Sequence, residues 1–231
     1  MTISVIPVAG LPQVQPGDLL ADLLLAHASI RNGDVVVITQ KVVSKAENRL
    51  EAVDPDDPLA HKAIVERESV RVLRRRGDLI VSETAHGFVC ANAGVDLSNV
   101  ERGQVALLPL DADRSARRIR DGIRATAGLA VGVIISDTFG RPWRRGLTDV
   151  ALGCAGVAAV VDLRGTQDTY GRELLVTEVA VADEIASAAE LVMGKSSGVA
   201  AAIVRGVDPA WLREGSVRAE IVRRYDEDLF R

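Results

Sequence analysis

Apolar residues fall along the chain in two rhythms. Short β-branched runs alternate with stretches in which leucine, alanine and isoleucine recur at helical spacing. The runs predict strands over 2–8, 35–39, 79–82, 104–110, 131–135, 157–161, 174–180 and 199–205. A helix of two to three turns is expected through Leu19, Leu20, Leu23 and Leu24, with Asp18 as its N-cap. A long amphipathic helix is expected over 59–75, with Ile64, Val70 and Leu73 inward. Its end, Arg74-Arg75-Arg76-Gly77, reads as a basic last turn with a glycine stop. Two more helices are expected, one over 114–127, capped by Asp113 and closed by Gly128, and one over 183–193. The run 35–39, VVVIT, is nearly continuous, which predicts a sheet covered on both faces. Residues 40–45 are expected to leave that strand as a polar connection. The tail from Asp208 to Arg231 is mixed and charged and predicts no single element. Strands and helices mix without regular βα alternation. The fold class expected is therefore α/β (mixed α+β), with mixed sheets and flanking helices, neither a Rossmann nor a P-loop fold. Residues 1–231 are taken as one unit.

Composition narrows the function. The net charge is -4, which argues against a nucleic-acid protein, whose footprint is a basic face. Aromatic residues make up 3%, too few for platforms that stack single-stranded bases. Two cysteines, Cys90 and Cys154, stand in unrelated contexts with no CxxC pair, so neither a zinc site nor a disulfide framework is expected. No apolar run is long enough for a membrane span, and the first residues lack the pattern of a signal peptide, so a cytoplasmic protein is expected.

The chemistry gathers around 131–156, VGVIISDTFGRPWRRGLTDVALGCAG. Ser136-Asp137-Thr138 stands where the strand ends, and Phe139-Gly140-Arg141-Pro142 is expected to break the strand pattern. Trp143, Arg144, Arg145 and a second acid, Asp149, follow. Ligands of open α/β sheets bind beyond the carboxyl ends of strands. Carboxylates there suit Mg2+ or Mn2+, and guanidinium forks suit phosphate or carboxylate. The residues alone leave a second reading open, a capped strand end with Arg144 and Arg145 on a solvated face. Gly194-Lys195-Ser196 has the end of a phosphate loop, but Ala189 stands where its first glycine belongs and a helix precedes it, so the Walker reading fails. Of the three histidines, only His86 is near a loop of interest. Lys45, Asp96, Asn99, Asp137 and Thr138 each fall at a strand-to-loop junction and form a metal–phosphate site only if the fold gathers them.

Several long, ordered segments resemble the coenzyme F-420-0:L-glutamate ligase family. They are Gly10-Leu11-Pro12, Gln40 to Glu47 (QKVVSKAE), Ala93 to Asn99 (AGVDLSN), Ser136 to Arg144 (SDTFGRPWR) and Thr177 to Glu184 (TEVAVADE). The resemblance implies a two-lobed α/β fold, a homodimer, and GTP-dependent addition of γ-linked L-glutamate to coenzyme F-420-0. It implies a GTP site from Leu11, Pro12, Gln13, Val14, Gln40, Lys45, Asn99, Lys195 and Ser196. Asp96 and Asp137 are implied as ligands of one divalent ion and Thr138 of a second, Mg2+ or Mn2+, with room for a monovalent cation such as K+. Lys45 and Arg144 are the candidate catalytic residues, Lys45 as a phosphate cation and Arg144, with Arg145, for the anionic coenzyme tail or the incoming glutamate. Similar actinobacterial sequences form the N-terminal half of a longer protein, so the chain is expected to be a free-standing ligase or such a half. The alternatives are a GTP- or coenzyme-binding module without turnover and a ligase joining another amine or acid.

Overall fold

In the computed structural model, which describes residues 2–228 and 230, a five-stranded mixed sheet forms the spine. The chain enters through β1 (Ser4–Pro7) and α1 (Leu20–His27), then β2 (Val35–Thr39) and α2 (Gln40–Ala46). A smaller section follows: β3 (Leu50–Ala52), α3 (Lys62–Glu68), β4 (Ser69–Arg76), β5 (Leu79–Thr84), β6 (Val89–Ala91) and β7 (Gln104–Ala106). Then α4 (Ala112–Ala127) leads to the long hairpin β8 (Gly132–Arg141) and β9 (Arg144–Ala155). Two-residue strands β10 (Val161–Asp162) and β11 (Glu178–Val179) precede α5 (Val181–Met193), β12 (Ala201–Arg205) and α6 (Val217–Glu220). The spine runs in the order β1-β12-β2-β8-β9, and only β2 and β8 pair in parallel.

The continuous apolar run 35–39 is explained by cover on both faces. Val36 and Ile38 join α1 and α4 in one core, with Leu24, Ile119 and Ile123. Val35 and Val37 point the other way, into a core with Ile185, Ala186 and Met193 of α5. A third, smaller core around Val65, Val105 and Leu107 belongs to the section between β3 and β7. The fold is thus mixed α/β, as the chain pattern predicts.

Several local expectations are corrected. The helix expected over 59–75 stops at Glu68, and 69–76 form β4. Apolar and polar residues alternate through Ser69-Val70-Arg71-Val72, and β4 pairs antiparallel with β5 around a turn at Gly77-Asp78. The arginines therefore cap no helix; Arg75 pairs with Glu66 at 2.6 Å. Asp111, not Asp113, caps α4 by accepting a bond from Arg114 N. Asp18 caps no helix either; it accepts from Gln15 N within the preceding turn. Residues 40–45 are helical, not an open connection. The break expected at 139–142 is absent up to Arg141, because β9 supplies pairing partners along that whole length. The strands expected over 157–161 and 174–180 shrink to the paired residues 161–162 and 178–179, and that expected over 104–110 to 104–106. The tail forms short helical turns and α6; its Leu229 and Arg231 lie outside the described residues. No helix among the described residues is long and apolar enough to cross a membrane.

Candidate functional site

Strand direction decides where the chemistry meets. β1, β2 and β8 all run the same way, because β12 is antiparallel to both β1 and β2, and β2 is parallel to β8. Their carboxyl ends share one edge of the sheet, the place where such sheets bind ligands. The loop with Leu11, Pro12, Gln13 and Val14 leaves β1 there; its Val14 is buried in the core, and Gly17 N bonds Ala46 O at the end of α2. Thr39 N bonds Ala200 O, which fixes the loop of Lys195 and Ser196 beside the end of β2.

At this edge α2 begins with Gln40, 1% exposed. Ser44 Oγ, one turn on, lies 2.9 Å from Gln40 Oε1 and 2.6 Å from Leu107 O. Ser44 Oγ has one proton, so with Leu107 O accepting it the Gln40 amide is best turned to donate from Nε2 to Ser44 Oγ. Lys41 and Lys45 are four residues apart and so share a face of α2. Lys41 Nζ meets Asp96 Oδ2 at 2.7 Å. Burial first, then the Lys41 charge, holds the Lys45 ammonium below its ordinary pKa, with Glu101 opposing. Asp96 Oδ1 accepts from Ser98 N at 2.6 Å, a local turn that leaves Asn99 exposed with φ 56.

The strand β8 brings the second acid. Asp137 feels the charges of Lys41, Asp96 and Asp149, so the three carboxylates form one electrostatic neighbourhood. Burial pushes its carboxyl up to about 7; Asp96 and Asp149 push the same way, and the Thr138 backbone N–H and Lys41 pull against them. Cys90 lies near enough to Asp137 to feel it, and burial above all drives that thiol up to about 12, so it stays protonated and inert. Cys154 is likewise buried, and both cysteines are free.

A register shift between Ile135 and Ser136, a β-bulge, sets the third acid. Thr138 stands opposite Asp149 and donates to its Oδ1 at 2.7 Å; Ser136 Oγ donates to Oδ2 at 3.0 Å. Asp149 is 1% exposed. Helix α5 docks on this strand through one face: Asp183 Oδ1 accepts from Ala151 N, Ser187 Oγ donates to Asp149 O, and Glu190 continues the row. Lys195 Nζ reaches Asp149 Oδ1 at 2.9 Å and Glu190 Oε1 at 2.8 Å and donates to Thr138 Oγ1.

Most of the sequence candidates are therefore gathered: Leu11 to Val14, Gln40, Lys45, Asp96, Asp137, Thr138, Lys195 and Ser196 at one edge, with Asn99 on the segment tied in by Asp96. Arg144 is apart. It lies at the exposed hairpin tip beside Pro142 and Trp143, five residues from Asp149, about 17 Å at about 3.4 Å per residue. Lys41, Asp149, Ser136 and Glu190 complete the cluster without having been singled out as site residues. Lys41 stands in the segment Gln40 to Glu47, and only its pairing to Asp96 distinguishes it from the other lysine.

The donors offered are all oxygens, the chemistry of a hard cation. Among the described residues no three His, Cys, Asp or Glu side chains converge into a ready metal cage. A divalent ion would be favoured at Asp137, whose carboxyl is raised by burial and then by Asp96 and Asp149, and at Asp96 it would take the place of the Lys41 ammonium. It fits poorly at Thr138, whose hydroxyl already meets Asp149 and the Lys195 ammonium.

Comparison with known proteins identifies the family. A family model described as F420-0:Gamma-glutamyl ligase matches residues 10–206. The coenzyme F420:L-glutamate ligase of Methanopyrus kandleri is 44% identical over 100% of this chain and 98% of its own length. That of Methanothermobacter thermautotrophicus is 43% identical with both chains covered in full, and that of Archaeoglobus fulgidus 44% identical over 100% of this chain and 97% of its own. A family model over residues 10–206 and full-length identity above two fifths place this chain in the F420-0:gamma-glutamyl ligase family.

Proposed function

We propose that this chain joins L-glutamate to coenzyme F420-0 through an amide bond, driven by GTP and a divalent cation, and then adds further γ-linked glutamates. The observation that carries the reading is the Lys41–Asp96 ion pair at the carboxyl edge of the sheet, in the electrostatic neighbourhood of the buried Asp137, with Lys45 one turn along α2. A carboxylate does not condense with an amine at neutral pH, because oxide would have to leave. Transfer of the GTP γ-phosphoryl group to the coenzyme carboxylate gives an acyl phosphate and GDP. The glutamate amine then attacks the acyl carbon, the C–O bond to phosphate breaks, and amide and phosphate result. Such transfer depends on positioning and charge neutralisation.

The residues divide the work accordingly. Leu11 to Val14, Gln40, Asn99 and Ser196 border the nucleotide. Lys45 faces the phosphates; burial, then the Lys41 charge, holds its ammonium below its ordinary pKa, and a triphosphate beside it would favour the charged form. Asp96 and Asp137 would hold the divalent ion, Mg2+ or Mn2+, which would supply positive charge beside the phosphate oxygens. Arg144 is too far along the hairpin to reach the transferred phosphoryl group and serves the anionic tail of the coenzyme. The exposed Trp143 and Leu147 of the same hairpin, 81% and 68% exposed, offer an apolar surface for a second copy in a homodimer.

Incubation with GTP, Mn2+, glutamate and the coenzyme should release phosphate and shift the coenzyme mass by whole glutamate residues. A binding module would release no phosphate, and a ligase of other specificity would turn over with another amino acid. Asp96→Asn and Asp137→Asn should each lower turnover by about 100-fold or more, the scale of losing one electrostatic contact to a transition state.

A further inference from the structure

The ammonium of Lys195, on a side chain 55% exposed, meets three oxygens of its own chain. It sits 2.9 Å from Asp149 Oδ1 and 2.8 Å from Glu190 Oε1, and its third contact is Thr138 Oγ1. A lysine ammonium has three N–H donors and no acceptor, so this set engages all of them. Asp149 is 1% exposed, and Glu190 Oε2 is buried with no hydrogen-bond partner. Two carboxylates and a hydroxyl around one positive centre are the donor set of a hard cation. Here a side chain fills it. The backbone is shaped to deliver that side chain: Gly194 and Gly198 both adopt positive φ, and Ser197 Oγ donates to Met193 O, folding the loop back over the end of α5.

We infer that Lys195 is a tethered cation, whose ammonium occupies the position at Asp149, Thr138 and Glu190 that an exchangeable metal ion would otherwise take. The chain then carries one exchangeable divalent position, at Asp96 and Asp137, rather than two. This rests on the proposed reading of Asp96 and Asp137 and replaces the expectation that Thr138 holds a second ion. Lys195 acts here as a positioning residue: it holds Thr138 and Asp149 in place and supplies a fixed positive charge that chelators cannot remove. Being fully engaged by protein oxygens, it has no donor left for a nucleotide.

The test counts Mn2+ bound to the nucleotide-free full chain by electron paramagnetic resonance, in wild type, Lys195→Met and Lys195→Arg. Methionine keeps an unbranched side chain without charge or donors, and arginine keeps the charge. Wild type and Lys195→Arg should each bind one Mn2+ per chain and Lys195→Met one more, with circular dichroism unchanged. Two ions on the wild type overturn the inference, and that measurement stands even if the methionine variant does not fold. One ion on both wild type and a folded Lys195→Met overturns the inference alone. No Mn2+ on any of the three overturns it together with the proposed Asp96–Asp137 position.

Discussion

Asp137 carries a conflict that a bound cation would resolve. In an unfolded chain its carboxyl titrates near 4; in the fold, burial and two neighbouring acids push it up to about 7. Between those values the native state holds a proton that the unfolded state has lost. Stability from this group is therefore full below pH 4 and declines as pH rises to 7. Asp137→Asn cannot ionise and escapes that loss. The metal-free variant should melt above the wild type at pH 8 and show no such gain at pH 4, read from melting temperature against pH. Metal binding must also expel the proton, so Mn2+ affinity should rise about tenfold per pH unit below 7 and level off above it, as calorimetry would show. The sequence exposes Asp137 and Asp96 as acids at strand ends. It does not expose Lys41, because nothing along the chain says that residue 41 will meet residue 96.

Helix α4 and strand β9 show how an element is fixed by a residue read wrongly from sequence. Asp113 looks like an N-cap, one position before a helical pattern. In the fold it is buried inside the first turn, and its carboxylate accepts from Cys154 N, Ser216 Oγ, Val217 N and Arg218 N. It thus joins α4, β9 and α6. Asp113→Ala leaves buried donors unpaired and should cost at least about 3 kcal/mol in chemical denaturation, given about 1.5–3 kcal/mol for a bond to a charged group. Nearby Gly153 has no room for a side chain, since a Cβ there would stand 2.2 Å from the Ala112 carbonyl carbon. Gly153→Ala must push backbone against backbone and should be destabilising on the scale of about 1–3 kcal/mol or more. Elements with a single rhythm, such as 35–39 and 183–193, are legible from sequence. The segment 59–75 is not: Ile64, Val70 and Leu73 fit a helical stripe, yet Val70 and Val72 alternate with arginines, and pairing with β5 decides the outcome.

Among the described residues, the tip of the β8–β9 hairpin is an extended feature outside the cores. Trp143 and Leu147 are largely exposed there, with Phe230 of the same chain 6.1 Å from the Trp143 ring. If this tip seats on a second copy, Trp143→Ser with Leu147→Ser should shift light-scattering mass from dimer to monomer while melting temperature at high concentration falls. The same large-scale view bears on biosynthesis. β1 pairs with β12 alone, Ser4 opposite Arg205. The earliest strand must therefore wait on the ribosome for a partner some two hundred codons downstream, about 10–40 s at about 5–20 residues per second. Until then β1 has no strand to pair with, so the five-stranded sheet, and with it the edge that gathers Gln40, Asp137 and Lys195, is completed only after β12 has been made.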